Sequence, residues 1–116
     1  MMILFLTTDM MFSSRVLGAA TSLGLGLKIV PTAAALAQQA TEQTQLVLID
    51  LTLPDIELVL AVENVRAKSS AAKIIAFGPH VDAALLANAA HAGCDSVLTR
   101  SQFNHQYAEI LKSCIA

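Results

Sequence analysis

Three charged side chains follow short apolar runs of the sequence, at the places where buried strands are expected to end. Asp9 follows MILFLT, Asp50 ends QLVLID, and Arg100 follows SVLT. If these runs are parallel strands of one sheet, their carboxyl ends form the edge where open α/β sheets bind ligands. Two neighbouring carboxylates repel each other, and a divalent cation such as Mg²⁺ relieves that repulsion. Arg100 would then neutralise a phosphoryl group bound at the same edge.

The same three residues also have a simpler interpretation, in which they carry no chemistry. Asp9 and Asp50 would be polar residues that cap the ends of strands, and Arg100 would form an ion pair with one of them. The spacing of the residues is compatible with either interpretation, so both are kept at this point.

The elements that must position these residues alternate regularly along the chain. Continuous apolar runs of strand length are typical of strands buried on both faces of a parallel sheet. The expected strands are residues 2–7, 27–31, 45–50, 73–77 and 96–99. Segments with helical spacing of apolar residues follow each of them, at residues 13–24, 32–42, 57–68, 82–92 and 102–114. This alternation predicts an α/β fold with a doubly wound, five-stranded parallel sheet and helices on both faces.

The composition excludes several classes of function. The chain has 116 residues, of which 14% are charged, and its net charge is −2, so charge alone would not attract nucleic acid or an anionic membrane. No apolar run approaches the roughly 20 residues needed to span a bilayer. Two cysteines are too few for a disulfide framework, and we expect a reducing, cytoplasmic location. Because charges are sparse, some helix faces should be apolar and able to bind a partner.

Over essentially its whole length the chain resembles the receiver domains of two-component response regulators. The resemblance is carried by LVLIDLTLPD at residues 46–55, by Asp9 followed by Arg15, and by AHAGCDSVLTRSQF at residues 90–103. It implies a single domain of residues 1–116 with the flavodoxin-like strand order 2-1-3-4-5. It also implies a signalling module of a phosphorelay rather than an enzyme.

The resemblance implies a role for each residue at the proposed site. Asp50 matches the phosphoacceptor aspartate of the family. Asp9, Asp50 and the backbone carbonyl of Thr52 match the protein ligands of Mg²⁺, which is the one cofactor implied. Gly78 and Arg100 match the residues beside the phosphoryl group.

Several positions depart from the pattern of the family. The second acid of the metal-binding pair falls on Met10, and Gly78 stands where the family has a hydroxyl side chain. Arg100 replaces a lysine, which differs from it in shape and reach. We therefore expect a degenerate receiver that acts by protein–protein contact, with phosphorylation at Asp50 weak or absent.

Two alternatives remain open from the sequence. In the first, the chain is a working, Mg²⁺-dependent phosphoacceptor that a histidine kinase phosphorylates on Asp50. In the second, it is a small flavodoxin-like domain that binds a ligand. That second alternative needs a phosphate-binding loop after the first strand, and TTDMMFSS lacks the glycines or the dense hydroxyls expected there.

The last two helices present a candidate surface for partners. Leu86 lies on the fourth helical segment, and Phe103 and Tyr107 lie on the fifth. In the family this face commonly binds partners or forms dimers. We expect a histidine kinase or another signalling protein, or a second copy of the chain, to bind there.

Overall fold

Five strands and five helices alternate along the chain in the computed structural model, which describes residues 2–54 and 56–115. The sheet is parallel throughout, with the order β2-β1-β3-β4-β5, so the predicted fold class is confirmed. The predicted domain of residues 1–116 and its LPD motif include Met1, Asp55 and Ala116, which lie outside the described residues. The elements are β1 Met2–Leu6, α1 Met10–Ser22, β2 Leu27–Val30, α2 Ala33–Gln39, β3 Thr44–Asp50, α3 Leu58–Lys68, β4 Lys73–Gly78, α4 Ala83–His91, β5 Ser96–Thr99 and α5 Arg100–Lys112.

The three central strands are buried because helices cover both faces of the sheet. Their continuous apolar runs supply one side chain to each face in turn, which is the pattern of a parallel sheet. The edge strands β2 and β5 are only partly buried, so the prediction that all five strands are buried on both faces was wrong for these two. Each edge strand lacks a neighbour on one side and is less completely covered. Among the described residues, no helix is both long and apolar enough to cross a membrane.

Two helices begin earlier than the sequence predicted, because other residues cap them. Asp9 caps α1 and accepts a hydrogen bond from the amide of Phe12, whereas Ser13, the first residue of the predicted helical segment 13–24, lies inside the helix. Thr99 caps α5 through a reciprocal capping box with Gln102. Thr99 is the last residue of β5, and only Thr7 and Thr8 separate Asp9 from β1, so strand and helix are joined by very short connections. As a result, side chains at the start of α1 and α5 are held beside the carboxyl edge of the sheet.

All the aromatic side chains of the protein pack together on one face of the sheet, beneath α1 and α5. Phe77 and Phe103 are stacked, with ring centroids 4.3 Å apart. Phe103 is completely buried, so its predicted place on a partner surface is wrong. Its side chain points into the core because α5 covers the sheet with that face. The cluster consists of Phe5, Phe12, Phe77, Phe103 and Tyr107.

At the opposite, amino-terminal edge of the sheet, Arg66 joins three segments. Its guanidinium donates to the backbone oxygens of Ala72 and Gly93 and lies 2.8 Å from Asp95. Burial acts to raise the pKa of Asp95, but the hydrogen bond from the Ile74 amide and the bond and charge of Arg66 outweigh it and hold that pKa below its ordinary value. These contacts have a structural role far from the carboxyl edge.

Candidate functional site

Asp50 ends β3 and is almost completely buried, with 2% of its surface exposed. Its carboxylate accepts three hydrogen bonds from the protein. The hydroxyl of Thr7 donates to Oδ2 over 2.7 Å. The hydroxyl of Thr52 donates to Oδ1 over 2.6 Å, and the Thr52 amide donates to the same oxygen over 3.0 Å. Buried charge is tolerated only with such partners, so these donors account for a carboxylate at this depth.

The register of the sheet explains why Thr7 meets Asp50. Leu6 lies opposite Ile49 in the parallel pairing of β1 with β3. The residues that follow them, Thr7 and Asp50, therefore also lie side by side. The Thr7 hydroxyl is itself an acceptor for the amide of Asp9, over 3.1 Å. It thus joins the turn after β1 to the end of β3.

Asp9 faces a different set of partners. One carboxylate oxygen accepts from the Phe12 amide over 3.0 Å, and the other forms an ion pair with the guanidinium of Arg100. The Phe12 amide first, and then Arg100, hold the pKa of Asp9 below its ordinary value. The simpler interpretation of the sequence, in which Arg100 pairs with one of the two carboxylates, therefore holds for Asp9.

Arg100 also lies over an aromatic ring. Its guanidinium carbon is 4.8 Å from the centroid of Phe12, and the guanidinium carbon of Arg15 is 5.1 Å from the same centroid. Such cation–π contacts favour arginine over lysine, because the planar guanidinium can stack while it donates to a carboxylate. The residue that replaces the lysine of the family thus has a defined local role.

Gly78 ends β4 beside Thr99 of β5 and is buried. A Cβ atom at this position would lie 3.3 Å from the Cβ of Leu51 and 3.5 Å from a methyl carbon of Leu85. Gly78 has no hydroxyl, and a side chain added at this position would therefore be crowded by Leu51. Met10, where the resemblance places the second acid, is 68% exposed and presents a thioether to solvent.

A magnesium ion requires oxygen atoms that are free to bind it in a near-octahedral arrangement. The Asp50 carboxylate instead accepts from Thr7 and Thr52, and the Asp9 carboxylate is paired with Arg100. Among residues 2–54 and 56–115, no three His, Cys, Asp or Glu side chains form a group able to hold a metal. In this arrangement the residues present do not fit a magnesium site, and the metal-binding roles of Asp9, Asp50 and the Thr52 carbonyl remain predictions.

Thr7 is the residue of this edge that the sequence analysis missed. The pattern contained a signal for it, because Thr7 is the last residue of the first apolar run and Asp50 is the last residue of the third. Aligning the ends of those two runs would have placed the two side chains together. The predicted site instead brings Asp50 together with Asp9, which lies two residues after Thr7.

Solved structures with the same arrangement of elements are receiver domains. One belongs to a sensor histidine kinase of Pseudomonas aeruginosa and has a magnesium ion coordinated in its active-site cleft; it is 21% identical, with a TM-score of 0.76, and the match covers 97% of this chain and 94% of that one. The chain has the receiver fold. A CheY-like receiver domain protein of Methanospirillum hungatei gives a TM-score of 0.74 at 21% identity, covering 97% of this chain and 94% of that one.

A third structure with the receiver fold contains a phosphorylated aspartic acid. This response regulator of Burkholderia pseudomallei contains a phosphorylated aspartic acid, a calcium ion and citrate; it is 12% identical, with a TM-score of 0.74, and the match covers 97% of this chain and 71% of that one. Comparisons with family models and with curated proteins find no match to the present sequence. The likeness to solved structures establishes the fold, which agrees with the fold expected from the resemblance.

Proposed function

We propose that this receiver-fold domain is a signalling module that acts by protein–protein contact, and that phosphorylation of Asp50 is weak or absent. The observation that carries the proposal is the state of the Asp50 carboxylate, which is 2% exposed and hydrogen-bonded by Thr7 and Thr52. A carboxylate oxygen attacks a phosphodonor through a lone pair, and here the protein's own donors already use about three of the four lone-pair positions of Asp50.

The surroundings of Asp50 support the same proposal. A phosphoryl group at Asp50 would add negative charge and three acceptor oxygens that need donors. Gly78 contributes no hydroxyl, and a Cβ atom added there would lie 3.3 Å from the Cβ of Leu51. Arg100 is the nearby cation expected to neutralise the phosphoryl group, but its guanidinium is paired with Asp9.

The alternative of a working phosphoacceptor has one supporting observation. The structurally similar response regulator of Burkholderia pseudomallei carries a phosphorylated aspartic acid. In that alternative Asp50 is the nucleophile, and a histidine kinase supplies the phosphoryl group. The two functions predict opposite results in one measurement.

That measurement is incubation of the protein with Mg²⁺ and a small phosphodonor, followed by intact mass. We expect the unmodified mass to dominate at all times. The matched control is Asp50→Asn, which removes the acceptor oxygen while it keeps the shape of the side chain, and it should give the same trace as the wild type. Ready, stoichiometric gain of one phosphoryl group in the wild type, absent in Asp50→Asn, would establish the alternative.

The surface through which the module acts is proposed to include Leu86 of α4 and Tyr107 of α5, both of which are half-buried. Val81, in the turn before α4, is 80% exposed and extends the apolar character of this region. Apolar side chains exposed in this way favour burial against another protein. The partner is proposed to be a histidine kinase or another signalling protein, or a second copy of the chain.

The homodimer version is tested by light scattering over a range of concentrations. We expect the mass to rise toward that of two chains, and we expect Leu86→Glu to shift the rise to higher concentration because it places a charge in the interface. A matched control is Ala84→Glu, an exposed position two residues before Leu86 and therefore on the opposite side of the same helix. A mass of one chain at high concentration, unchanged by Leu86→Glu, would contradict the homodimer.

A further inference from the structure

We propose that Thr7 is a positioning residue that closes Asp50 to metal ions, so that the carboxyl edge of the sheet is held together without a cation. This inference rests on the proposed function and deepens it, because it names the group that keeps the acceptor carboxylate occupied. Nothing in the resemblance to receiver domains assigns a role to Thr7. It follows from the register of β1 against β3 and from the hydrogen bonds of its hydroxyl.

The Thr7 hydroxyl is engaged as both donor and acceptor. It donates to Oδ2 of Asp50 over 2.7 Å and accepts from the amide of Asp9 over 3.1 Å. Asp9 in turn caps α1 through the Phe12 amide. One continuous chain of hydrogen bonds therefore runs from the start of α1, through Thr7, to the end of β3.

A metal ion that took the place of the Thr7 hydroxyl at Oδ2 of Asp50 would break that chain. A carboxylate has about four lone-pair positions, and three of those on Asp50 are used by Thr7 and Thr52. Thr7 is itself 1% exposed, so its hydroxyl has no solvent to turn to. Displacing it from Oδ2 would leave a buried hydroxyl proton without an acceptor, and native proteins avoid such unpaired groups. In the described part of the chain, every buried side-chain polar atom has a partner.

The inference predicts what happens when a carboxylate replaces the hydroxyl. Thr7→Asp would put two acids side by side in a buried place, where they repel each other and favour a divalent cation between them. The asparagine of Thr7→Asn has nearly the same shape as the aspartate of Thr7→Asp but no charge, so Thr7→Asn should gain no affinity for metal. The pair therefore separates the effect of charge from the effect of altered packing.

The test is thermal unfolding followed by circular dichroism, with and without about 10 mM MgCl₂ and with NaCl added to equal ionic strength. We expect the Tm of the wild type and of Thr7→Asn to be the same in both salts. We expect Thr7→Asp to unfold at a lower temperature in NaCl and to recover in MgCl₂. If Mg²⁺ is present at about ten times its dissociation constant, the gain is about 1.4 kcal/mol, or about 4–6 °C in a domain of this size.

Two further variants keep the inference testable if Thr7→Asp does not fold. Thr7→Ser retains the hydroxyl and should resemble the wild type, whereas Thr7→Ala frees one oxygen of Asp50. In a Mg²⁺ titration followed by the NMR signal of the Thr52 amide, we expect Thr7→Ala to bind at least tenfold more tightly than wild type and Thr7→Ser.

Two outcomes would overturn the inference. One is a wild-type protein that Mg²⁺ stabilises as much as it stabilises Thr7→Asp. The other is a Thr7→Ala variant with the wild-type response in the titration. Neither measurement uses a phosphodonor, so either outcome leaves the mass experiment on Asp50 to decide the proposed function separately.

Discussion

Phe103 offers the sharpest test of how this domain is built, because the sequence placed it on a partner surface and the structure places it in the core. Its side chain is completely buried. It stacks on Phe77 at 4.3 Å and meets Phe12 edge-on at 5.6 Å between ring centroids. Phe103→Ala should therefore destabilise the fold, whereas loss of a surface residue would leave the fold intact.

The expected magnitude follows from burial and ring geometry. Replacing a buried phenylalanine by alanine costs about 3–5 kcal/mol, because apolar surface is lost and a cavity is left behind. An aromatic pair contributes about 0.5–1.5 kcal/mol beyond its buried area, and Phe103 has several aromatic neighbours. We therefore expect a loss of about 4 kcal/mol, out of the roughly 5–15 kcal/mol that holds a typical domain folded. Phe103→Leu keeps much of the volume and should lose about 1–2 kcal/mol.

The assay is urea unfolding followed by circular dichroism at the helical band, since the chain has no tryptophan. With a slope of about 2 kcal/mol per M, a loss of about 4 kcal/mol lowers the midpoint by about 2 M. His105→Ala, at an exposed position two residues along α5, is the control and should shift the free energy of unfolding by less than about 0.5 kcal/mol. A Phe103→Ala variant no less stable than His105→Ala would refute the packing described for α5.

Three further predictions concern other parts of the molecule. Gly78→Ser should lower the free energy of unfolding by about 1 kcal/mol, because its Cβ would lie 3.3 Å from that of Leu51, and a variant as stable as the wild type would contradict this crowding. Intact mass should show that the variant gains no phosphorylation. Since the pKa of Asp95 is lowered on folding, its ionised form stabilises the fold at pH values above its ordinary pKa of 3.8. The urea midpoint of Asp95→Asn should therefore lie below that of the wild type near about pH 6, and the difference should close as the pH falls below 3.8. Partial burial raises the pKa of Cys94 from 9.0 to about 11, so at about pH 8 its thiolate fraction should be roughly 100-fold smaller in the folded protein than in urea. Alkylation should therefore be slower in the folded protein, by about tenfold once the greater nucleophilicity of a thiolate with a higher pKa is included, and equal rates would contradict the raised pKa.

The sequence predicted the sheet well because parallel strands leave a strong pattern. The run LVLI at residues 46–49 is apolar at every position, which is the pattern of a strand covered on both faces. The starts of α1 and α5 were predicted less well, since several polar residues lie near each of them and the pattern does not select among them. For α1 the predicted start was Ser13, although the side chain of Asp9 caps the helix by accepting a hydrogen bond from the Phe12 amide. Selecting a cap requires the backbone path of the preceding turn.

The candidate site was predicted in position but not in its contacts. Placing Asp50 at the carboxyl edge needs only the end of a strand, which the sequence contains. Knowing that Thr7 lies beside it needs the register of β1 against β3, which depends on packing of the whole sheet. Phe103 shows the same limit, because an amphipathic helix pattern identifies an apolar face without saying whether it covers the sheet or binds a partner.

The Asp50 carboxylate has a structural explanation that does not require phosphorylation. It fixes Thr7 and Thr52, and through Thr7 it is connected to the turn that starts α1. Removing a charged acceptor from buried donors leaves those donors unpaired. The free-energy cost of an unpaired buried donor is generally larger than the net free energy that its hydrogen bond contributes. An aspartate at the end of β3 is therefore poor support for phosphotransfer by itself. The decisive property is whether an oxygen of that aspartate is free, and in this domain the Thr7 hydroxyl occupies the oxygen that faces β1.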